Sequence, residues 1–259
     1  MNLGIAGRKA IVCASTRGLG RACAEALLAE GVHVTINGRD GERTMIAAAE
    51  MRSRWHGQVS AVPADIGEPR GRDALLAACP NPDILVNNGP GPEPGEFSSF
   101  DETIWLQALK KSMVAPLMLI RAVVPEMCRQ KFGRVINITS AMVTTPRPSM
   151  ALSSGARAGL TAALKGLLLE VAHDNVTFNN LLPERFDTER QRTMARALMT
   201  KHNLTWEDAR ARQVASIPAK RLGKPEELGA TCAFLCSQQA SYMTGMNIRL
   251  DGGSYPALL

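Results

Sequence analysis

The chain contains 259 residues, of which 45% are hydrophobic and 21% charged, and its formal net charge is +6. A chain of this length buries enough apolar surface to hold a core without disulfides or a structural metal. No apolar segment reaches the roughly 18 residues of a membrane-spanning helix, and the amino terminus lacks the basic and apolar regions of a secretory signal. We therefore expect neither a membrane span nor secretion.

The cysteines and the distribution of positive charge exclude further classes of function. Six dispersed cysteines include no Cys-x-x-Cys pair, which predicts free thiols rather than a metal site and a reducing, cytoplasmic location. Between residues 184 and 224, ten basic residues stand against five acidic ones, while the rest of the chain is nearly balanced. This pattern indicates no nucleic-acid-binding face. The basic segment suits either a phosphate-bearing small molecule or a solvated helical surface.

Short apolar segments alternate with amphipathic segments along the chain. The apolar segments predict seven strands, at 9–14, 32–36, 59–63, 84–86, 134–138, 177–182 and 247–250. Helical periodicity occurs at 19–27, 41–54, 75–78, 102–130 and 158–172. Strands alternating with helices indicate a parallel sheet that helices cover on both faces. We predict an α/β fold: one doubly wound, mostly parallel, seven-stranded Rossmann-like domain spanning residues 1–259.

A glycine-rich turn joins the first predicted strand to the first predicted helix. Gly18 and Gly20 let the backbone pass close to a pyrophosphate, and the N-terminus of the following helix presents free N–H groups. Its position between a strand and a helix favours a dinucleotide site. A tight strand-to-helix turn that binds nothing is the alternative.

The turn resembles the Thr-Gly-x-x-x-Gly-Ile-Gly loop of the short-chain dehydrogenase/reductase family, including its 3-oxoacyl-carrier-protein reductase-like members. Residues 63–66 (Pro-Ala-Asp-Ile) match the segment whose acid contacts adenine, and 86–89 (Val-Asn-Asn-Gly) match the Asn-Asn-Ala-Gly turn. Residues 133–140 match the strand that delivers the catalytic serine, and 221–227 and 244–253 match C-terminal landmarks. The resemblance implies that the nucleotide contacts Ala14, Ser15, Thr16, Arg17, Gly18, Leu19, Gly20, Asn37, Arg39, Asp65, Ile66, Asn87, Gly89, Arg157, Pro183 and Thr188.

The end of the second predicted strand indicates which nucleotide is preferred. NAD usually requires an acid there to accept hydrogen bonds from the ribose hydroxyls, whereas this chain has Asn37-Gly38-Arg39. Arg17 and Arg39 suit a 2′-phosphate because a guanidinium donates to two oxygens at once. The sequence therefore predicts NADP(H) over NAD(H), with a solvated Arg39 as the alternative.

The catalytic positions depart from the family pattern. Ser140 matches the family's serine, but Ser153 stands at the tyrosine position, Arg157 at the lysine position and Ser112 at the asparagine position. A serine hydroxyl is a far weaker acid than a phenol, and arginine keeps its proton, so the tyrosine–lysine relay cannot operate. Arg157 can still hold ribose hydroxyls and stabilise a developing oxyanion, while Ser140 and Ser153 orient a carbonyl or a water.

Three functions remain open at this point. The first is an NADP-dependent oxidoreductase of a small carbonyl or alcohol substrate with an altered catalytic centre. The second is a nucleotide-binding pseudoenzyme, a sensor or partner subunit without redox activity. The third is a non-redox lyase, hydratase or dehalogenase; dehalogenation is disfavoured because the related halohydrin dehalogenases have lost the dinucleotide loop, which this chain retains.

The segment 185–215 occupies the position of the family's substrate loop. Four arginines of this segment would bind an acidic group of the substrate, or they lie on the solvent-exposed face of a helix. They are Arg185, Arg190, Arg192 and Arg196. The resemblance also implies a homo-oligomer, dimeric or tetrameric.

Overall fold

The computed structural model describes residues 2–55 and 58–258 and contains a seven-stranded sheet. Its strands are β1 (Lys9–Val12), β2 (His33–Gly38), β3 (Val59–Pro63), β4 (Ile84–Asn87), β5 (Gly133–Ile138), β6 (Val176–Pro183) and β7 (Asn247–Leu250). They lie in the order β3-β2-β1-β4-β5-β6-β7, and every neighbouring pair is parallel. The predicted fold class is therefore confirmed. The order reverses between β1 and β4, where open α/β sheets bind their ligands at the carboxyl ends of the strands.

Helices cover both faces of the sheet. They are α1 (Gly18–Ala29), α2 (Gly41–Trp55), α3 (Pro69–Ala78), α4 (Glu102–Leu109), α5 (Ala115–Arg129), α6 (Ala151–Val171), α7 (Glu189–His202), α8 (Trp206–Val214) and α9 (Pro225–Cys236). On one face Leu27 and Leu228 pack against the sheet, and on the other face Leu119 and Leu164 do so. Because both faces are covered, β4, β5 and β6 are buried along their whole length, including polar residues such as Asn137 and Asn180.

The segment predicted as a single helix at 102–130 is interrupted. A π-helical turn, Lys110–Val114, separates α4 from α5, and the N–H of Ala115 donates to the carbonyl of Lys110 across it. Pro116 lies just after this turn and has no N–H to offer the carbonyl of Ser112, four residues earlier, so one α-helical hydrogen bond is missing where the pattern changes.

Two other helices differ from the sequence prediction. α6 begins at Ala151 rather than near 158, because its first turns are built from small and polar residues that hide the apolar period. α9 was not predicted, and its first turn contains Pro225, which suits a helix start. Within residues 2–55 and 58–258, no helix combines the length and apolar character required to cross a membrane.

Candidate nucleotide and catalytic site

The glycine-rich turn after β1 is closely packed against neighbouring backbone. A Cβ on Gly20 would lie 2.4 Å from the carbonyl oxygen of Ala14 and 2.6 Å from Nδ2 of Asn88. That Nδ2 donates to the same carbonyl at 3.1 Å, which ties the turn to the end of β4. Gly18 has a φ of +58°, a region that favours glycine. The residues therefore fit the predicted pyrophosphate site, since Gly18 and Gly20 place no side chain of their own in the first turn of α1.

Two residues predicted to contact the nucleotide hold this turn in place. Ser15 Oγ donates to the carbonyl of Val12 at 2.6 Å and accepts from the Asn37 N–H at 3.0 Å. The Asn37 side chain accepts from the Ala14 N–H at 3.3 Å and donates to the carbonyls of Val62 and Ala64, each at 3.0 Å. Asn37 thus joins β1, β2 and the end of β3, a role that its position in the sequence did not reveal.

The predicted adenosine side of the site lies beside this turn. Thr16 packs close to Gly38, whose added Cβ would lie 2.6 Å from Thr16 Cγ2. Arg17 and Arg39 are exposed, and no carboxylate of the described residues lies within ion-pair distance of either. Both guanidinium groups are therefore available to an anion.

Asp65 and Ile66 follow β3 at the same edge of the sheet. Oδ1 of Asp65 accepts from the N–H of Gly67 at 2.8 Å, and the carbonyl of Ile66 accepts from Arg72 at 2.8 Å. These contacts fix the turn that precedes α3. Leu19, in the first turn of α1, is partly buried and packs against the core.

Thr188 meets the glycine-rich turn from 170 residues further along the chain. Its Cγ2 lies 3.6 Å from the position of an added Cβ on Gly18. The approach is set by Pro183, which ends β6, and by the N–H of Thr188 donating to Phe186. A cavity of ≈ 240 Å³ opens beside Gly18 and Thr188. The structure thus brings together two predicted nucleotide contacts that are remote in sequence.

The predicted catalytic residues come from three elements. Ser140 follows β5, and its Oγ accepts from the N–H of Met142 at 3.2 Å. Ser153 and Arg157 lie one turn apart on α6, and Nη1 of Arg157 donates to Oγ of Ser153. Ser153 is 1% exposed. Because this Oγ accepts from Arg157, its own O–H remains to donate elsewhere.

Ser112 lies in the π-helical turn that packs on α6. The adjacent Met113 touches α6 at Gly159, where an added Cβ would lie 2.9 Å from its sulfur. Pro116 leaves the carbonyl of Ser112 without its α-helical donor, as described above. π-helical turns of this kind occur often at functional sites.

Arg157 is close to a second guanidinium, from Arg190 of α7. The position of an added Cβ on Gly91 lies 2.9 Å from Nη1 of Arg157 and 3.3 Å from Nη1 of Arg190. Burial, with a further contribution from the charge of Arg190, lowers the pKa of Arg157 to about 10, so it stays charged at neutral pH. Sequence reasoning missed Gly91, whose only signal was its place two residues after the Asn-Asn-Gly turn.

The remaining nucleotide candidates, Asn87 and Gly89, lie at and just beyond the end of β4. Asn87 Nδ2 donates to Asn137 Oδ1 at 3.0 Å, so this side chain is used within the sheet. A Cβ on Gly89 would meet no atom within 4 Å. In the described part of the chain, no group of three or more His, Cys, Asp or Glu side chains is arranged to hold a metal ion.

The chain is similar in sequence to a known family and to several known proteins. The family described as enoyl-(acyl carrier protein) reductase matches residues 13–255. The uncharacterized oxidoreductase YvaG of Bacillus subtilis (strain 168) is 34% identical over 98% of both chains. Dehydrogenase/reductase SDR family member 4 of Bos taurus is 32% identical over 95% of this chain and 86% of its own length.

Solved structures resemble the chain over its whole length. L-sorbose reductase from Gluconobacter frateurii, which was solved with NADPH and L-sorbose, superposes with a TM-score of 0.95 at 28% identity, with full coverage of both chains. The topology, the glycine-rich turn and these relatives lead to one conclusion. The chain belongs to the short-chain dehydrogenase/reductase family of oxidoreductases.

Proposed function

We propose that this protein is an NADP(H)-dependent oxidoreductase of a small carbonyl or alcohol substrate, in which Ser153 and Arg157 replace the family's tyrosine and lysine. The observation that carries the proposal is the closely packed glycine-rich turn, where Gly20 leaves no room for a side chain beside Ala14 and Asn88. A chain that had abandoned its nucleotide would have no need of so constrained a turn.

The preference for NADP(H) rests on charge. Arg17 and Arg39 are exposed at the predicted adenosine side, and the described carboxylates leave both unpaired. A 2′-phosphate supplies the missing negative charge and accepts the paired donors of a guanidinium. The structural relative L-sorbose reductase was solved with NADPH.

The chemistry of this chain's own residues differs from that of a tyrosine acid. The bound nicotinamide supplies or accepts the hydride. Arg157 keeps its charge and stabilises negative charge on the substrate oxygen, and Ser153 donates its O–H to the same oxygen. Neither group releases a proton near neutral pH, so the alkoxide held by Arg157 and Ser153 takes its proton from a solvent water that Ser140 can orient, and the hydroxide that remains is reprotonated by the bulk buffer.

The proposal is tested by titrating the purified protein with NADPH and NADH in a calorimeter. We expect selective binding of NADPH. Arg39→Asp should weaken NADPH binding at least tenfold, because only NADPH has the 2′-phosphate, and it should not weaken NADH binding, because an acid at this position accepts from the ribose hydroxyls. Arg129→Asp, an equal change of charge on an exposed arginine at the end of α5, is the control and should bind NADPH like the wild type.

Turnover is then measured with ketones, aldehydes, alcohols and 2-enoyl compounds. Hydride transfer to or from the nicotinamide supports the proposal. Absence of NADPH binding at millimolar concentration overturns it. Binding without any hydride transfer favours the nucleotide-binding alternative, and turnover without nicotinamide favours the lyase or hydratase alternative.

A further inference from the structure

Two positive side chains converge on one small volume beside the predicted catalytic serine. Arg157 approaches it from α6 and Arg190 from α7, and both guanidinium groups lie against the backbone of Gly91. A side chain at position 91 would occupy this volume, since its Cβ would lie 2.9 Å from Arg157 and 3.3 Å from Arg190. Like charges at this separation repel, and the repulsion grows as water is excluded.

The other arginines of the segment 185–215 mostly have acidic partners. Arg196 pairs with Glu189 at 2.8 Å, and Arg210 and Arg192 pair with Asp187 at 2.9 and 3.5 Å. In contrast, no carboxylate within residues 2–55 and 58–258 lies within 4.0 Å of Arg157 or Arg190. Most arginines of this segment are therefore paired with a carboxylate, whereas the guanidinium groups of Arg157 and Arg190 have no such partner.

The three atoms nearest to this volume are guanidinium nitrogens of Arg157 and Arg190. Arg157 and Arg190 contribute N–H groups, and Ser153 has its O–H to donate because its Oγ already accepts from Arg157. A set of donors with positive charge matches an oxyanion, and two guanidinium groups suit the two oxygens of a carboxylate.

We propose that Arg157 and Arg190 bind a carboxylate group of the substrate, so that the protein acts on oxo or hydroxy acids. This inference rests on the proposed function for its link to catalysis, because Ser153 and Arg157 flank the predicted reacting carbonyl. A phosphate of the cofactor is the other source of an oxyanion at this position.

Malonate serves as the probe because it carries carboxylates but has no group that a hydride reduces under these conditions. It is titrated into the wild-type protein by calorimetry at low ionic strength, with and without saturating NADPH. We expect one malonate to bind per chain, and malonamide, its neutral analogue, not to bind. Arg190→Gln should weaken malonate binding at least tenfold, whereas Arg190→Lys should retain part of it.

Arg212→Gln is the matched control: this exposed arginine lies on α8 of the same segment and should bind malonate as the wild type does. Circular dichroism checks that each variant is folded. The proposal is overturned if malonate does not bind, or if Arg190→Gln binds it normally. It is also overturned if NADPH displaces malonate while Arg190→Gln weakens NADPH binding, since the anion is then a cofactor phosphate.

These outcomes are independent of the proposed function. A protein that binds malonate through Arg190 but does not bind NADPH retains the anion site and loses the redox assignment. A protein that binds NADPH and transfers hydride but does not bind malonate loses only the carboxylate site.

Discussion

Arg157 contributes a positive charge to the candidate site, and the burial of this charge lowers the stability of the fold. Its guanidinium is largely covered by surrounding groups and faces Arg190, and burial lowers its pKa to about 10. A lysine in this place would have lost its charge more readily on burial, whereas arginine remains protonated at neutral pH. Arg157 therefore keeps its positive charge at neutral pH despite its burial.

Replacing this charge should stabilise the fold. We expect Arg157→Met to raise the free energy of unfolding by about 1–3 kcal/mol at pH 7–8, because the variant no longer buries an unpaired charge. Arg212→Met, the control at an exposed position of α8, should change stability by less than about 0.5 kcal/mol. Urea unfolding of the three proteins measures both values.

The difference in the free energy of unfolding between the wild type and Arg157→Met should change with pH in one direction. The folded state loses the Arg157 proton near pH 10, while the unfolded state keeps it to higher pH. Wild-type stability must therefore rise relative to Arg157→Met as pH increases through about 10. An advantage of Arg157→Met that is the same at pH 8 and pH 10.5 would contradict the assigned pKa shift.

At the scale of an element, the turn between β1 and α1 combines close packing with backbone strain. Ala14 has a φ of +46°, in the left-handed region that favours glycine. It stands at the first glycine position of the family's loop, and its carbonyl accepts from Asn88. The turn keeps its shape because Ser15, Asn37 and Asn88 hold it with hydrogen bonds.

Relieving this strain should stabilise the protein. We expect Ala14→Gly to raise the free energy of unfolding by about 0.5–1 kcal/mol and to leave NADPH binding intact, since glycine adopts a positive φ freely. Ala10→Gly, in the neighbouring strand β1, should instead destabilise by about 0.5–1 kcal/mol or more. Thermal and urea unfolding of both variants test the pair. A destabilised Ala14→Gly protein would show that the Ala14 methyl group contributes packing that outweighs the strain.

Across the whole molecule, a ladder of asparagine side chains crosses half of the sheet. Asn87, Asn137, Asn180 and Asn247 lie in register on β4 to β7, and each Nδ2 donates to the next Oδ1 at 2.8–3.1 Å. The ladder begins at Oδ1 of Asn87, which is buried and has no hydrogen-bond partner among the described residues. The ladder links β5, the strand that leads to Ser140, to β4 and β6.

Interrupting the ladder in its buried part should be costly. Asn137→Leu leaves Nδ2 of Asn87 and Oδ1 of Asn180 unpaired inside the protein, and we expect a loss of about 2–4 kcal/mol in the free energy of unfolding. The same change at Asn247, at the exposed end of the ladder, should cost less than about 1 kcal/mol, because water replaces the lost partner. Equal losses at the two positions in urea unfolding would argue against a cooperative ladder.

The sequence by itself determined the fold class and most strand positions, because a parallel sheet buried on both faces requires short apolar segments between helices. It also located the glycine-rich turn, whose function depends on residues close together in the chain. It did not reveal the interruption at Ser112 or the early start of α6, since a proline and small polar residues hide the helical period there.

Which arginines of the site are paired with carboxylates depends on the tertiary structure. Arginines 185, 192 and 196 looked equivalent to Arg190 in the sequence, but folding pairs those three with carboxylates and places Arg190 beside Arg157. Likewise, it assigned Asn37 to holding the turn and joined four asparagines into one ladder. Such contacts join segments as much as 100 residues apart, so no local pattern of residue types predicts them.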